Sequence, residues 1–277
     1  MTNSRMPNGI IPPVLTPLTQ DQKVDIPALK ALIHKLVDGG VSALFMGGTA
    51  GLGSILTAAD YELVIGTTLE EVPDGFPVLC GVLEPSTARA LERIQLLDSL
   101  KAEFFVTVTP YYVRATEDDA LLRHFGAQHE ATDMEMVLYN MPGCTGVNIP
   151  PELVLHMVKR GWTASCKDSS GDKAYVETLC QNNEETGLKV YQGMCPDFAW
   201  LNDIGACGAV PVPANVHPEL FVSGWDNRAN AANITEIQKD VNHRWDELVV
   251  GTDYTSRSIR ALAEQEIGTG TLALPFA

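Results

Sequence analysis

Apolar positions in this chain fall into two alternating patterns, short runs rich in Val, Ile, Leu and Phe, and longer stretches where they recur every three or four residues. The short runs, 10–15, 43–46, 77–82, 104–108, 136–139, 164–167, 189–192 and 209–212, read as eight strands. Between them lie segments of helical period, among them 26–38, 58–69, 87–100 and 118–130, each long enough to cross back and begin a parallel neighbour. Thr57, Ser86 and Thr116 stand as N-caps before three of these segments, and Gly39-Gly40 supplies a stop for the first. Eight such alternations within residues 1–226 predict an α/β fold closed into a (β/α)8 TIM barrel rather than an open doubly wound sheet. Residues 227–277 read as a short C-terminal helical extension packed on the barrel, with helices at 230–250 and 253–265.

Composition narrows the partners. With 35 acidic against 19 basic side chains and a net charge of −16, the chain would repel a phosphate backbone or an anionic membrane, so neither nucleic acid nor membrane is expected as a partner. The N-terminal stretch has no apolar core like that of a signal peptide, and no long uncharged apolar window follows, which fits a cytoplasmic enzyme. Six cysteines without a C-x-x-C pair read as reduced thiols, and the usual zinc spacings are absent, so no metal or other cofactor is expected. His124 and His129 read as a solvated pair on the fourth helix.

In a parallel barrel the chemistry sits at the carboxyl ends of the strands. Those ends are rich in polar groups here: Thr16-Pro17, Gly47-Gly48-Thr49-Ala50-Gly51, Thr109-Pro110-Tyr111-Tyr112, Tyr139-Asn140, Lys167-Asp168, Gly193 and Pro213-Ala214-Asn215. Lys167 ends an apolar strand, a place where desolvation lowers an amine's pKa and frees a nucleophile. Tyr139 ends the neighbouring strand and offers a phenol that can relay protons to that amine. The loop around Gly48, Thr49 and Ala50 presents backbone N–H groups suited to a carboxylate, and it lacks the lysine of a nucleotide-binding P-loop.

In order and spacing, these segments resemble the dihydrodipicolinate synthase and N-acetylneuraminate lyase family of class I aldolases. The resembling pieces are Gly9-Ile10-Ile11-Pro12-Pro13-Val14-Leu15-Thr16-Pro17, Gly48-Thr49-Ala50-Gly51, Thr109-Pro110-Tyr111-Tyr112, Tyr139-Asn140-Met141-Pro142-Gly143-Cys144-Thr145-Gly146, Cys166-Lys167-Asp168-Ser169-Ser170-Gly171-Asp172 and Gly208-Ala209-Val210-Pro211-Val212-Pro213-Ala214-Asn215. The resemblance implies a Schiff base between Lys167 and a 2-oxo acid, with Tyr139 as acid/base and Thr49 linking that phenol toward solvent. It also implies that Tyr112 reaches a neighbouring subunit's site in a homodimer or homotetramer, that the Val210 carbonyl faces the lysine, and that the Gly48-Thr49-Ala50 loop holds the substrate carboxylate.

Several positions depart from the family pattern. Ala50 and Leu52 stand where the family loop usually carries a hydroxyl residue and a glutamate, and Cys144 replaces the arginine that clamps the aldehyde's carboxylate in dihydrodipicolinate synthases. Met194 and Cys195 follow Gly193 where sialic acid lyases place acidic residues. Met141, Cys144, Met194 and Cys195 are therefore expected to line a compact, apolar distal pocket. These departures point away from a true dihydrodipicolinate synthase and toward a lyase for a small 4-hydroxy-2-oxo acid, with pyruvate as one product. Dehydration or deamination of a deoxy sugar acid or a hydroxy-pyrroline carboxylate through the same imine, and a lapsed barrel that only binds a small acid, are the alternatives.

Overall fold

The computed structural model describes residues 4–249 and 255–276. Eight parallel strands form one sheet: β1 (Gly9–Ile10), β2 (Leu44–Met46), β3 (Val78–Val82), β4 (Phe104–Thr107), β5 (Glu135–Asn140), β6 (Ser165–Asp168), β7 (Lys189–Gln192) and β8 (Gly208–Ala209). Hydrogen bonding runs β1-β8-β7-β6-β5-β4-β3-β2. The cylinder closes between β1 and β2 through an isolated parallel bridge, Pro13 to Phe45, with Ser42 N–H donating to Ile10 O at 2.8 Å and Val14 N–H to Phe45 O at 2.8 Å. The expected (β/α)8 barrel is thus the observed architecture.

Alternation along the strands sorts side chains into two cores. Phe45, Leu79, Phe104, Val106, Val137, Tyr139, Tyr191 and Val210 fill the barrel interior, whereas Leu44, Cys80, Phe105, Leu138, Cys166 and Val190 face the helices. Met6 joins the inner core, and Lys189 Nζ and Tyr191 OH hold the carbonyls of Met6 and Pro7 at 2.5 and 3.0 Å, so the N-terminal segment plugs the end opposite the strand carboxyl termini.

Helices Ile26–Asp38 and Asp118–Glu130 have the predicted bounds, and Ala58–Glu71 and Thr87–Ser99 differ from prediction only at their ends. Thr57 and Ser86 cap as expected, each accepting a backbone N–H three residues on. Thr116 does not: the N-cap is Glu117, without a side-chain bond, and Asp118 and Asp119 complement the helix dipole instead. The first and last strands are shorter than predicted. Pro12 and Pro13 after β1, and Pro211 and Pro213 after β8, lack N–H donors, so the ladder stops and Val212–Asn215 winds into a 3-10 turn. The solvated histidine pair is also corrected. His124 shares the buried face of its helix with Leu121, Phe125 and Gln128, bonds Thr87 Oγ1 at 2.9 Å and Val108 O at 3.1 Å, and burial pushes its pKa down to about 4.

Beyond the barrel, Ala231–Leu248 and Ser256–Glu264 are helical and contribute Ile234, Val241, Leu248 and Leu262 to the same core as the barrel's outer face. The predicted end of the first at 250 and start of the second at 253–254 lie outside the described residues. Gln238, on the longer helix, donates to Pro196 O at 2.8 Å and accepts from Phe198 N–H at 3.1 Å, which fixes the loop after β7 at the barrel mouth.

Candidate active site

Lys167 and Tyr139 are register partners on β6 and β5, and strand alternation turns both inward. Lys167 is 6% exposed; its Nζ lies 4.0 Å from the Tyr139 ring centroid and 4.9 Å from that of Phe45. Beneath it is a small cavity lined by apolar side chains, among them Met6, Ile11, Phe45, Val106 and Val137, and Val210 shares that lining. Burial pushes the lysine below the ordinary ammonium range, while the Tyr139 phenol and then Asp168 pull it partly back.

Asp168 itself points to the opposite face of the strand. Its carboxylate accepts from Asn140 Nδ2 at 2.8 Å, from Ser170 Oγ at 2.8 Å and from Ser170 N–H at 3.1 Å. No carboxylate among the described residues forms an ion pair with Lys167. Gly193 leaves the space the lysine needs: a Cβ there would lie 2.9 Å from Lys167 Cε and 2.0 Å from Ser169 Oγ.

The glycine loop borders this pair. Thr49 Oγ1 is 3.5 Å from Tyr139 OH, a long contact, and the Tyr139 and Phe45 rings meet edge to face at 6.0 Å. Backbone packs on backbone here, since a Cβ at Gly81 would fall 2.1 Å from Gly47 O and one at Gly51 2.5 Å from Val14 O. Gly48 O accepts from Gly53 N–H and Thr49 O from Leu52 N–H, and Leu52 sits in the left-handed region at φ 62°. Among the described residues no acceptor receives the N–H of Thr49 or Ala50, so two donors remain free beside the phenol.

Other predicted residues are distributed differently. Cys144 is an exposed thiol in the turn after β5, close enough for the lysine charge to act on it, while burial pushes its pKa up. Met194 is 39% exposed at the mouth, and its N–H donates to Gln192 Oε1. Cys195 turns toward Asn242 on the C-terminal helix, at 3.8 Å, rather than into a distal pocket. Tyr112 is 94% exposed with φ 67° and is not brought to this chain's own lysine, whereas its neighbour Tyr111 anchors inward through its hydroxyl on Leu83 O at 3.0 Å.

Three supports escaped the sequence reading. Asn215 clips the closing seam, its Nδ2 bonding Pro13 O at 3.0 Å and its Oδ1 accepting Leu15 N–H at 3.1 Å. Asn140 bonds Asp168, Asn148 and the Ile149 N–H, holding β5 against β6 one register step beyond the reacting pair, toward the strand carboxyl ends and on the opposite face. Glu84, after β3, accepts from Arg89 and Arg93; their spacing of four on one helix face was the available signal.

Fold and site together define a class: parallel (β/α)8 barrels whose mouth holds a desolvated lysine beside a tyrosine on the preceding strand. The chain belongs to the dihydrodipicolinate synthetase family, whose model matches residues 6–269. The 4-hydroxy-tetrahydrodipicolinate synthase of Methanospirillum hungatei JF-1 is 26% identical over 273 residues, spanning 97% of this chain and 92% of that one. The corresponding protein of Exiguobacterium sibiricum is 32% identical over 207 residues, 73% and 69% of the two chains. Among solved structures, dihydrodipicolinate synthase from Thermotoga maritima superposes with a TM-score of 0.92 at 25% identity, covering 99% and 93%. YagE, a prophage protein of this family from E. coli K12 solved in complex with pyruvate, gives 0.90 at 23% identity over 97% and 92%, a likeness of fold. No helix among the described residues is long and apolar enough to cross a membrane.

Proposed function

We infer that this chain is a Schiff-base lyase in which Lys167 captures a small 2-oxo acid and a carbon–carbon bond is made or broken next to the imine. The observation that carries this reading is a buried lysine without a carboxylate partner, its amine set against the face of a tyrosine ring. A neutral amine attacks the C2 carbonyl, the Tyr139 hydroxyl passes a proton to the departing oxygen, and water leaves as the imine forms. In the cleavage direction Tyr139 then takes the proton of a 4-hydroxyl, the C3–C4 bond breaks, and its electron pair moves into the protonated imine to give the enamine of pyruvate. The free Thr49 and Ala50 N–H groups suit the carboxylate at C1, with Gly48 allowing the approach, and Val210 and Gly193 border the lysine.

Thr49 extends the proton path outward from the phenol. Tyr112, so exposed in one chain, fits a residue donated to the site of a second copy, which supports a homodimer or homotetramer. Cys144 lacks the fork of donors that an arginine gives, and this supports a reaction other than that of the synthases the chain resembles in sequence.

Borohydride reduction in the presence of pyruvate tests the imine: a mass increase on Lys167 is expected, and an unmodified protein would leave a barrel that only binds acids. Product identification over a panel of 4-hydroxy-2-oxo acids, deoxy sugar acids and cyclic imines tests the bond. Pyruvate plus an aldehyde is expected; a dioxo or semialdehyde acid with its carbon chain intact would move the protein to the dehydratases or deaminases.

A further inference from the structure

We propose that residues 4–7 are a positioning element of the active site, with Met6 as the stopper that keeps water from reaching Lys167 through the end of the barrel opposite the mouth. This rests on the Lys167 reading above. Met6 is 1% exposed and lines the cavity beneath the lysine, with Tyr191 and apolar side chains as the rest of the wall. The cavity is only about 10 Å³, and apolar space of that size stays dry. Among the influences on the amine, burial alone pushes it toward its neutral form. The Tyr139 phenol on β5, Asp168 on its own strand and Cys144 in the turn after β5 all favour the charged form. The amine is therefore reactive only as far as it is kept from water. Because the mouth has to admit substrate, the opposite end is the one that can be sealed for good.

The segment is held by groups that would otherwise invite water. Strand register puts Val137, Ser165 and Lys189 in one inward-facing layer, one step below the layer of Tyr139, Lys167 and Tyr191. Ser165 and Lys189 are polar, and residues 4–7 occupy both: Ser165 Oγ lies 2.7 Å from Ser4 Oγ, and Lys189 Nζ donates to Met6 O at 2.5 Å. Tyr191 OH reaches down to Pro7 O at 3.0 Å. Glu135, at the start of β5, accepts from Ser4 Oγ and, at 2.9 Å, from Arg5 N–H, while the Arg5 guanidinium bonds Glu103 at 2.7 Å and lies over Phe104. Strands β5, β6 and β7 thus grip four residues of which Met6 alone is buried. The same three strands carry Tyr139, Lys167 and Tyr191, so the fit of the stopper and the placing of the amine depend on one another.

The test follows the rate of borohydride trapping with pyruvate from about pH 6 to 10, a rate that tracks the fraction of neutral amine. Alanine at position 6 would only widen a dry space, so the variant is Met6→Asn, whose amide gives entering water a partner. It should move the midpoint of the profile up by about one pH unit and slow trapping about 10-fold near neutral pH, with the wild-type rate recovered once the pH is high enough to neutralise the amine. Met6→Leu, apolar and of similar volume, should keep the wild-type midpoint. Leu97→Ala, in the outer core, should lower the melting temperature yet leave the midpoint in place. Should thermal melting show Met6→Asn unfolded, Met6→Gln, closer in shape to methionine, carries the comparison with the same upward shift. A loss of rate equal at every pH, or a midpoint that Leu97→Ala moves as far as the polar variant does, overturns the assignment. Wild-type trapping separates the two levels. No adduct would defeat the lysine reading and this proposal with it, whereas a normal adduct with an unmoved midpoint in the polar variant would defeat the stopper alone.

Discussion

Two buried cations face each other in kind across this barrel, Arg93 behind the end of β3 and Lys167 at the end of β6, and their surroundings are opposite. Arg93 is 9% exposed and stacks on Tyr61 with Cζ 3.9 Å from the ring centroid. It also donates twice to Glu84, from Nε at 3.0 Å and Nη2 at 2.6 Å, and Arg89 holds the second Glu84 oxygen at 3.0 Å. Lys167 is as deeply buried and also lies over aromatic faces, yet the adjacent Asp168 spends its carboxylate elsewhere. Burial alone therefore does not make a nucleophile. A guanidinium with a carboxylate keeps its charge and ties elements together, whereas an ammonium denied a carboxylate is driven toward its neutral, reactive form.

The comparison can be broken at either end. The largest effect expected is from Lys167→Ala, which should lower turnover by about 10⁴-fold or more and remove the borohydride adduct, as for a residue whose atoms form the covalent intermediate. Full turnover in that variant would end the mechanism. At the other end, Glu84→Leu should cost about 3–5 kcal/mol in urea unfolding, because it strands the Arg93 charge in the interior. A loss under 1 kcal/mol would mean that Arg93 finds water or another partner, and the contrast with Lys167 would lose its force. Gly193→Ala should slow imine formation by about 100-fold, with a thermal melt to check that the variant folds, since the new Cβ meets Ser169 Oγ, the Asp168 carbonyl and Lys167 Cε, and relieving those contacts shifts the amine by a fraction of an ångström to an ångström. Normal trapping kinetics would show that the amine position tolerates displacement.

Much of the lysine's environment was legible in the sequence, because both features that create it are local. An apolar strand ending in Lys167 and a strand ending in Tyr139 put both residues at the mouth of any parallel barrel, and a period of two turns them inward. The parts not legible are those set by contacts between distant segments. Asn215 bonding Pro13, Asn140 bonding Asp168, and Arg114 settling on Gly146 each join residues whose proximity depends on barrel closure or loop path. The same holds for Cys195: its place after Gly193 suggested the pocket, but the C-terminal helix draws it to Asn242. His124 could have been placed correctly, since its spacing from Leu121, Phe125 and Gln128 marks one buried helix face.

The smallest predicted effect sharpens the comparison most, because it concerns the cost of keeping Lys167 as it is. An amine whose folded pKa is depressed by burial binds its proton more weakly in the native state than in the unfolded chain, where lysine titrates near ~10.4. Below the folded pKa both states are protonated and the full penalty of a buried ammonium is present. Between the folded pKa and the unfolded one, only the unfolded chain holds the proton, so wild-type stability rises with pH across that window. Lys167→Met, which keeps the length of the side chain without the charge, should then be more stable than wild type near neutral pH by about 1 kcal/mol, or ~2 °C in Tm. The gain should shrink as the pH approaches 10, and paired thermal melts from pH 7 to 10 would show it. An advantage constant with pH would mean that the amine titrates alike in both states, and a variant less stable than wild type throughout would mean that Tyr139 stabilises the ammonium as effectively as Glu84 stabilises Arg93.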